Sequence, residues 1–96
     1  MQAWISFPRE RFRYEKGAPQ VYRSSPIGER DFCGLCGSQL AFRDDRTGGV
    51  VAVNTGTLDD PAAASPGYHI WTASRVPWFD VADHLPRYEG EEPPTP

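Results

Sequence analysis

The stretch VVAVNTGTL, residues 50–58, decides the fold class. It is β-branched, nearly continuous and bounded by Gly-Gly before it and Asp-Asp-Pro after it, which reads as a strand buried on both faces. Working outward, shorter runs repeat the pattern. AWISF at 3–7 alternates, with Ala3, Ile5 and Phe7 on one side and Trp4 and Ser6 on the other, before Pro8 limits it. QVYRSS at 20–25 lies between KGAP and PIG, QLAFR at 39–43 precedes the turn-rich DDRTGG, and YHIWTAS at 68–74 is aromatic and alternating. A helical period is sustained nowhere over ten residues. Strands are therefore expected near 2–7, 20–25, 38–43, 49–58 and 68–73 in an all-β sandwich or open barrel, with VPWFDVADHL as a short helix or an irregular segment. Trp4, Phe7, Phe42, Trp71 and Trp78 are the large apolar groups expected to dominate its core.

With 96 residues the chain is one domain at most, and one with a thin stability margin that a metal or a partner would widen. Ten Lys and Arg against thirteen Asp and Glu give a net charge of −3, which argues against a nucleic-acid binder. The positive run RERFR at 9–13 is interleaved with Glu10 and Phe12 and reads as a solvated strand face. No apolar run approaches the length of a membrane span, and the N-terminus lacks the pattern of a signal peptide. Two close cysteines without an export signal point to a reducing compartment, the cytoplasm by default.

Both cysteines lie in DFCGLCGSQL, residues 31–40, as Cys33-x-x-Cys36 followed by Gly37. A turn of this spacing can place two thiolates about 2.3 Å from one zinc ion. Gly37 permits a positive φ that aims backbone N–H groups at the sulfurs, and Gly34 adds freedom inside the turn. Two other readings stand beside this one. Thioredoxin-like chemistry would need Cys33 at a helix N-terminus, whereas GSQLAFR reads as a strand. Two ordinary buried thiols are the plain alternative. A structural zinc needs four ligands, and the only other soft donors, His69 and His84, are not paired at a zinc-finger spacing. His69 reads as a half-buried, hydrogen-bonded strand histidine and His84 as a surface one.

Taken in order, SSPIGERDFCGLCGSQL, VNTGTLDDP and YHIWTASRVPWFDVADHLPRY closely resemble the C-terminal part of the glutathione-dependent formaldehyde-activating enzyme family, which includes centromere protein V-like domains. AWISFPRERFRYEKGAPQVYRSS is similar to that family's middle strands. The combination of F-C-x-x-C-G-S-x-L, G-T-L-D-D-P and H-I-W is specific where each alone is not. The resemblance implies an all-β fold of the β-tent type, incomplete at its N-terminus, over residues 1–88, with 89–96 a disordered acidic and proline-rich tail. It implies that Cys33 and Cys36 supply two of four thiolates to a structural zinc, the others coming from an upstream C-x-C segment. Catalytic zinc in the family sits on a further upstream C-x-C-x-x-C, for which this chain has no counterpart. The family activity is carbon–sulfur lyase chemistry joining formaldehyde to glutathione as S-(hydroxymethyl)glutathione.

Carried over residue by residue, the resemblance gives metal ligands Cys33 and Cys36, zinc as cofactor and no catalytic residue. Whether this chain is an enzyme stays open, and inactivity in isolation is expected. Arg30, Arg75 and the Thr57–Asp60 loop are candidates for touching an anionic ligand such as glutathione or a related small thiol, although Asp59 and Asp60 before Pro61 are also ordinary turn formers. The rival function is a small zinc-binding interaction module, or a structural remnant, that associates through an exposed sheet edge. A homodimer, or an N-terminal segment outside these residues, is the partner this implies.

Overall fold

A computed structural model describes residues 2–92, with the side chain of Thr47 set aside. Two compact units divide the chain, Met1–Ala64 and Ser65–Pro96. The first carries five strands: β1 (Trp4–Pro8), β2 (Gln20–Ser25), β3 (Gly28–Phe32), β4 (Gln39–Asp44) and β5 (Val50–Asn54). They form one antiparallel sheet in the order β1-β5-β4-β3-β2. The only helices among the described residues are three-residue 3-10 turns. The all-β expectation holds.

Register explains where the core lies. Ile5 pairs with Val53 and Phe7 with Val51 across β1 and β5. Ala41 faces Val53 across β5 and β4, and Asp31 faces Ala41 across β4 and β3. Because side chains alternate, these residues share one face. Ala41, Val51 and Val53 on that face are buried, together with the carboxylate of Asp31. The opposite face carries Ser6, Ala52, Phe42, Arg30 and Tyr22 in one row. There the Arg30 guanidinium stacks on the Phe42 ring, 4.7 Å from its centroid.

Several expectations are corrected. β3 was not expected, and β5 ends at Asn54 because the Asn54 side chain accepts from Gly56 N–H at 3.1 Å and turns the chain into the 3-10 segment Thr55–Thr57. The RERFR run is a 3-10 turn at Arg9–Arg11 and not a strand face: Arg9 is spent on the Gly49 and Gly48 carbonyls, at 2.9 and 3.2 Å. Nor do aromatics dominate the core. Small aliphatic residues fill the sheet face, Trp4, Phe7 and Phe42 are half-buried, and Trp71 and Trp78 are 52% and 83% exposed.

The second unit has no strand over 68–73. His69 forms an isolated parallel bridge with Arg87, fixed by His69 N–H to Pro86 O at 2.7 Å and Tyr88 N–H to His69 O at 2.8 Å. Trp71 then adopts φ 56° and ψ 32°, a left-handed conformation that ends any extended run. Trp71 N–H reaches Gly90 O at 2.9 Å, and Ala73 N–H reaches Glu89 O at 3.4 Å. VPWFDVADHL is irregular rather than helical. Residues 93–96 of the expected tail lie outside the described residues.

Candidate metal knuckle and its supports

β3 and β4 are joined by the loop that carries both cysteines. Cys33 N–H donates to Ser38 O at 2.9 Å, and Gly37 N–H returns to Cys33 O at 2.7 Å, closing a tight loop with Cys33 at its base. Gly37 has φ 81°, which only glycine takes without strain, so the glycine after the second cysteine has the role its position suggested. Gly34 serves differently: a Cβ there would stand 2.9 Å from Gln20 Cγ on β2, a close approach rather than a torsional need.

Cys36 is exposed and Cys33 half-exposed. The Cys36 sulfur lies 3.2 Å from Ser38 Oγ. Its thiol is pulled below the ordinary cysteine range, first by the Ser38 hydroxyl, then by the Ser38 backbone N–H and the neighbouring Cys33 thiol. These are the groups that stabilise a thiolate, the form that binds metal. Two sulfurs on one turn therefore match half of a tetrahedral donor set. Among the described residues no three His, Cys, Asp or Glu side chains come together around a metal position. No helix starts at Cys33, so the thioredoxin-like alternative lacks the dipole it needs.

Below the loop the strands are tied by charge. Arg43 grips Asp31 with two nitrogens, at 2.8 and 2.6 Å, and Tyr14 Oη donates to the same carboxylate at 2.8 Å. Burial, and secondly the hydrogen bond to Asp31, push the Tyr14 phenol well above its usual range. Arg43 also reaches Glu29 at 3.1 Å, Glu29 pairs with Arg23 at 2.9 Å, and Arg23 pairs with Asp45 at 2.9 Å. The chain Tyr14–Asp31–Arg43–Glu29–Arg23–Asp45 thus crosses β2, β3 and β4. Sequence reasoning missed it, as it missed Ser38. The available signal was Glu29 and Asp31 two apart, with Arg43 at matching parity on the next strand.

The other candidates are otherwise engaged. Thr57 donates its hydroxyl to Asn54 O at 2.7 Å and Asp60 accepts from Ala62 N–H at 3.2 Å, so both shape turns. Arg30 lies on Phe42 in the first unit. In the second, Arg75 donates to Phe79 O at 3.3 Å. His69 is held by Asp83, with Nε2 2.9 and 3.0 Å from the two carboxylate oxygens, and that contact is the main cause holding Asp83 below the usual carboxylate range. His84 is exposed, as expected. A depression of about 350 Å³ lined by Arg13, Tyr14 and Glu15 is open to solvent and includes neither cysteine.

Compared with known proteins, residues 1–74 match the family described as glutathione-dependent formaldehyde-activating enzyme. No curated protein matches the chain. No helix among the described residues is long and apolar enough to cross a membrane.

Proposed function

Since the chain belongs to the glutathione-dependent formaldehyde-activating enzyme family, we propose that it is the structural zinc-knuckle portion of that carbon–sulfur lyase architecture. In this reading Cys33 and Cys36 are the metal ligands, and these 96 residues have no catalytic centre of their own. The observation that carries the reading is the closed Cys33–Ser38 loop, with Gly37 in a left-handed conformation and Ser38 beside the Cys36 sulfur. Zinc held there supplies a cross-link between chain segments. A catalytic zinc needs about three protein ligands and an open position, and both cysteines of the chain are already committed to the knuckle.

Binding of glutathione or a related thiol, and residence in a reducing compartment such as the cytoplasm, follow from the family and from the need to keep both thiols free. The test is twofold. Purified chain should retain zinc by elemental analysis, and Cys33→Ser and Cys36→Ser should each lose it. Formaldehyde–glutathione adduct formation should proceed at its spontaneous rate with or without the zinc-loaded chain. Acceleration abolished by Cys33→Ser would overturn the assignment of the knuckle as purely structural.

A second reading, an interaction module, is favoured by one observation. All six residues of the edge strand β2 are exposed, leaving a free row of backbone donors and acceptors for another strand.

A further inference from the structure

Within the second unit, residues 69–73 and 86–90 form a neck that closes the stretch between them, 74–85, into a loop of the Ω type. His69 N–H donates to Pro86 O at 2.7 Å, Tyr88 N–H to His69 O at 2.8 Å and Trp71 N–H to Gly90 O at 2.9 Å. The bridge in this neck sets His69 beside Arg87, and the side chains of both reach into the loop. His69 Nε2 lies 2.9 and 3.0 Å from the two carboxylate oxygens of Asp83. Arg87 donates to Asp80 at 2.6 Å and to Val81 O at 2.5 Å. Leu85 N–H, 3.1 Å from Asp83 Oδ1, also fixes the carboxylate that His69 meets.

The two prongs of this grip are unequal. The Asp80 side chain is 61% exposed, so water competes for Arg87 and the pair adds little. His69 and Asp83 are more sheltered, at 17% and 28%, and separating them leaves both short of a partner. The hold on the loop therefore rests on His69. Two features work against closure. Trp71, inside the neck, keeps a left-handed backbone that the closed form must sustain. None of the residues 65–92 is buried, so the neck has no apolar core to lock it.

We propose that residues 68–90 open and close as one unit while the sheet stays folded, and that the His69–Asp83 contact is the clasp that holds this unit shut. His69 is a positioning residue in this device and acts through Asp83. What the clasp controls is the exposed aromatic tip of the loop, Trp78 and Phe79, held in one presentation when closed and released when open.

The test is amide hydrogen exchange on the whole chain at pH 7, read residue by residue by NMR. Relative to the rates of an unfolded chain, the amides of His69, Trp71 and Tyr88 should exchange at least about tenfold faster than those of β5. Asp83→Asn keeps the shape of the side chain and removes its charge. It should speed the three neck amides, none of which bonds to Asp83, by roughly tenfold while β5 changes less than about twofold. Asp80→Asn, on the exposed prong, should speed them less than about threefold. In a His69→Gln background Asp83→Asn should add little, because the clasp is already open. Equal protection of neck and β5 amides in the parent, or β5 amides that accelerate together with the neck, would overturn the separate opening. Neck amides unmoved by Asp83→Asn, or moved as far by Asp80→Asn, would overturn the clasp.

Discussion

Replacing Asp31 by Asn tests whether an ionic core holds this sheet together. Asp31 is 1% exposed and accepts three hydrogen bonds, two from Arg43 and one from Tyr14. Asparagine has nearly the same shape but no charge, and it must turn an NH₂ group toward either the guanidinium or the phenol. Truncating one partner of a fully buried ion pair costs about 3–5 kcal/mol, because the other charge is stranded. Two features reduce that figure here. Arg43 keeps 19% side-chain exposure, and Glu29 stands 3.1 Å from it as a second counter-charge. A cost of about 2–4 kcal/mol is expected. Set against roughly 5–14 kcal/mol for a domain of this length, the loss is a large fraction of the whole.

The assay is urea unfolding followed by circular dichroism at pH 7, with the slope checked for constancy so that the midpoint reports stability. Arg43→Met should cost at least as much as Asp31→Asn, because it leaves the more buried charge with Tyr14 alone. The double variant should recover about 1–3 kcal/mol relative to the sum of the two. An Asp31→Asn variant within about 0.5 kcal/mol of the parent, or a coupling near zero, would refute the ionic-core argument.

Three further expectations follow from particular residues. Trp71→Ala should cost only about 1–2 kcal/mol, well below the value for a buried tryptophan, and Trp71→Gly should melt no lower than Trp71→Ala because glycine relieves the positive φ; a clearly less stable glycine variant in thermal melts would count against that backbone. Gly37→Ala meets no atom within 4 Å, so its cost, about 1–2 kcal/mol, should be pure torsional strain and should persist in metal-free protein. Glu29, Asp44, Asp80 and Asp83 have folded pKa values below their unfolded ones, chiefly through hydrogen bonds from Arg23, Arg46, Arg87 and His69 respectively. Their contribution is fully present above an unfolded pKa of about 4 and is lost as pH falls through the folded values, so stability should be level from about pH 5 to neutrality and decline below about pH 4, less steeply in high salt. Midpoints that rise on acidification would contradict those pairings.

What the sequence disclosed follows a simple rule. Strands set off by Gly and Pro breaks or by alternating apolar residues were legible: 20–25, between KGAP and PIG, is β2 as expected, and the alternating β4 and β1 shift by one or two residues. β3 was not legible because its core-facing residues, Glu29 and Asp31, are charged, so GERDF reads as loop until Arg43 is known to lie opposite. The reverse error occurred at 68–73. Alternating aromatics suggested a buried strand, but the left-handed backbone at Trp71 and the pairing with 86–90 depend on contacts that no local pattern encodes. The tight turn at Cys33–Ser38 was legible from Cys-x-x-Cys-Gly because its geometry is local. Its supports were not, since each comes from another strand.

Those supports show how the sheet keeps two sulfurs in place. The register of β3 against β4 shifts between Asp31 and Phe32: Asp31 faces Ala41 but Phe32 faces Gln39, leaving Leu40 as the extra residue of a bulge at the loop's base. A bulge bends its strand and re-aims what lies beyond it. Immediately below, the Asp31–Arg43 pair locks the two strands, so the bend is fixed at its root. From the side, Asn54 Nδ2 donates to Gln39 O at 3.2 Å, while its own Oδ1 holds the turn at Gly56. The Asn-Thr-Gly-Thr segment therefore buttresses β4 one residue from Ser38, whose hydroxyl and N–H attend the Cys36 sulfur. Most of the ordering entropy of the two thiols is thus lost on folding, and under the proposed reading of them as zinc ligands they should bind the metal more tightly than the same two cysteines on a free peptide. It also follows that Asn54→Ala, which touches neither cysteine, should weaken zinc binding several-fold while leaving both thiols equally reactive once the chain is unfolded in urea. Unchanged zinc affinity in that variant would show the loop to be self-sufficient and the buttress irrelevant to it.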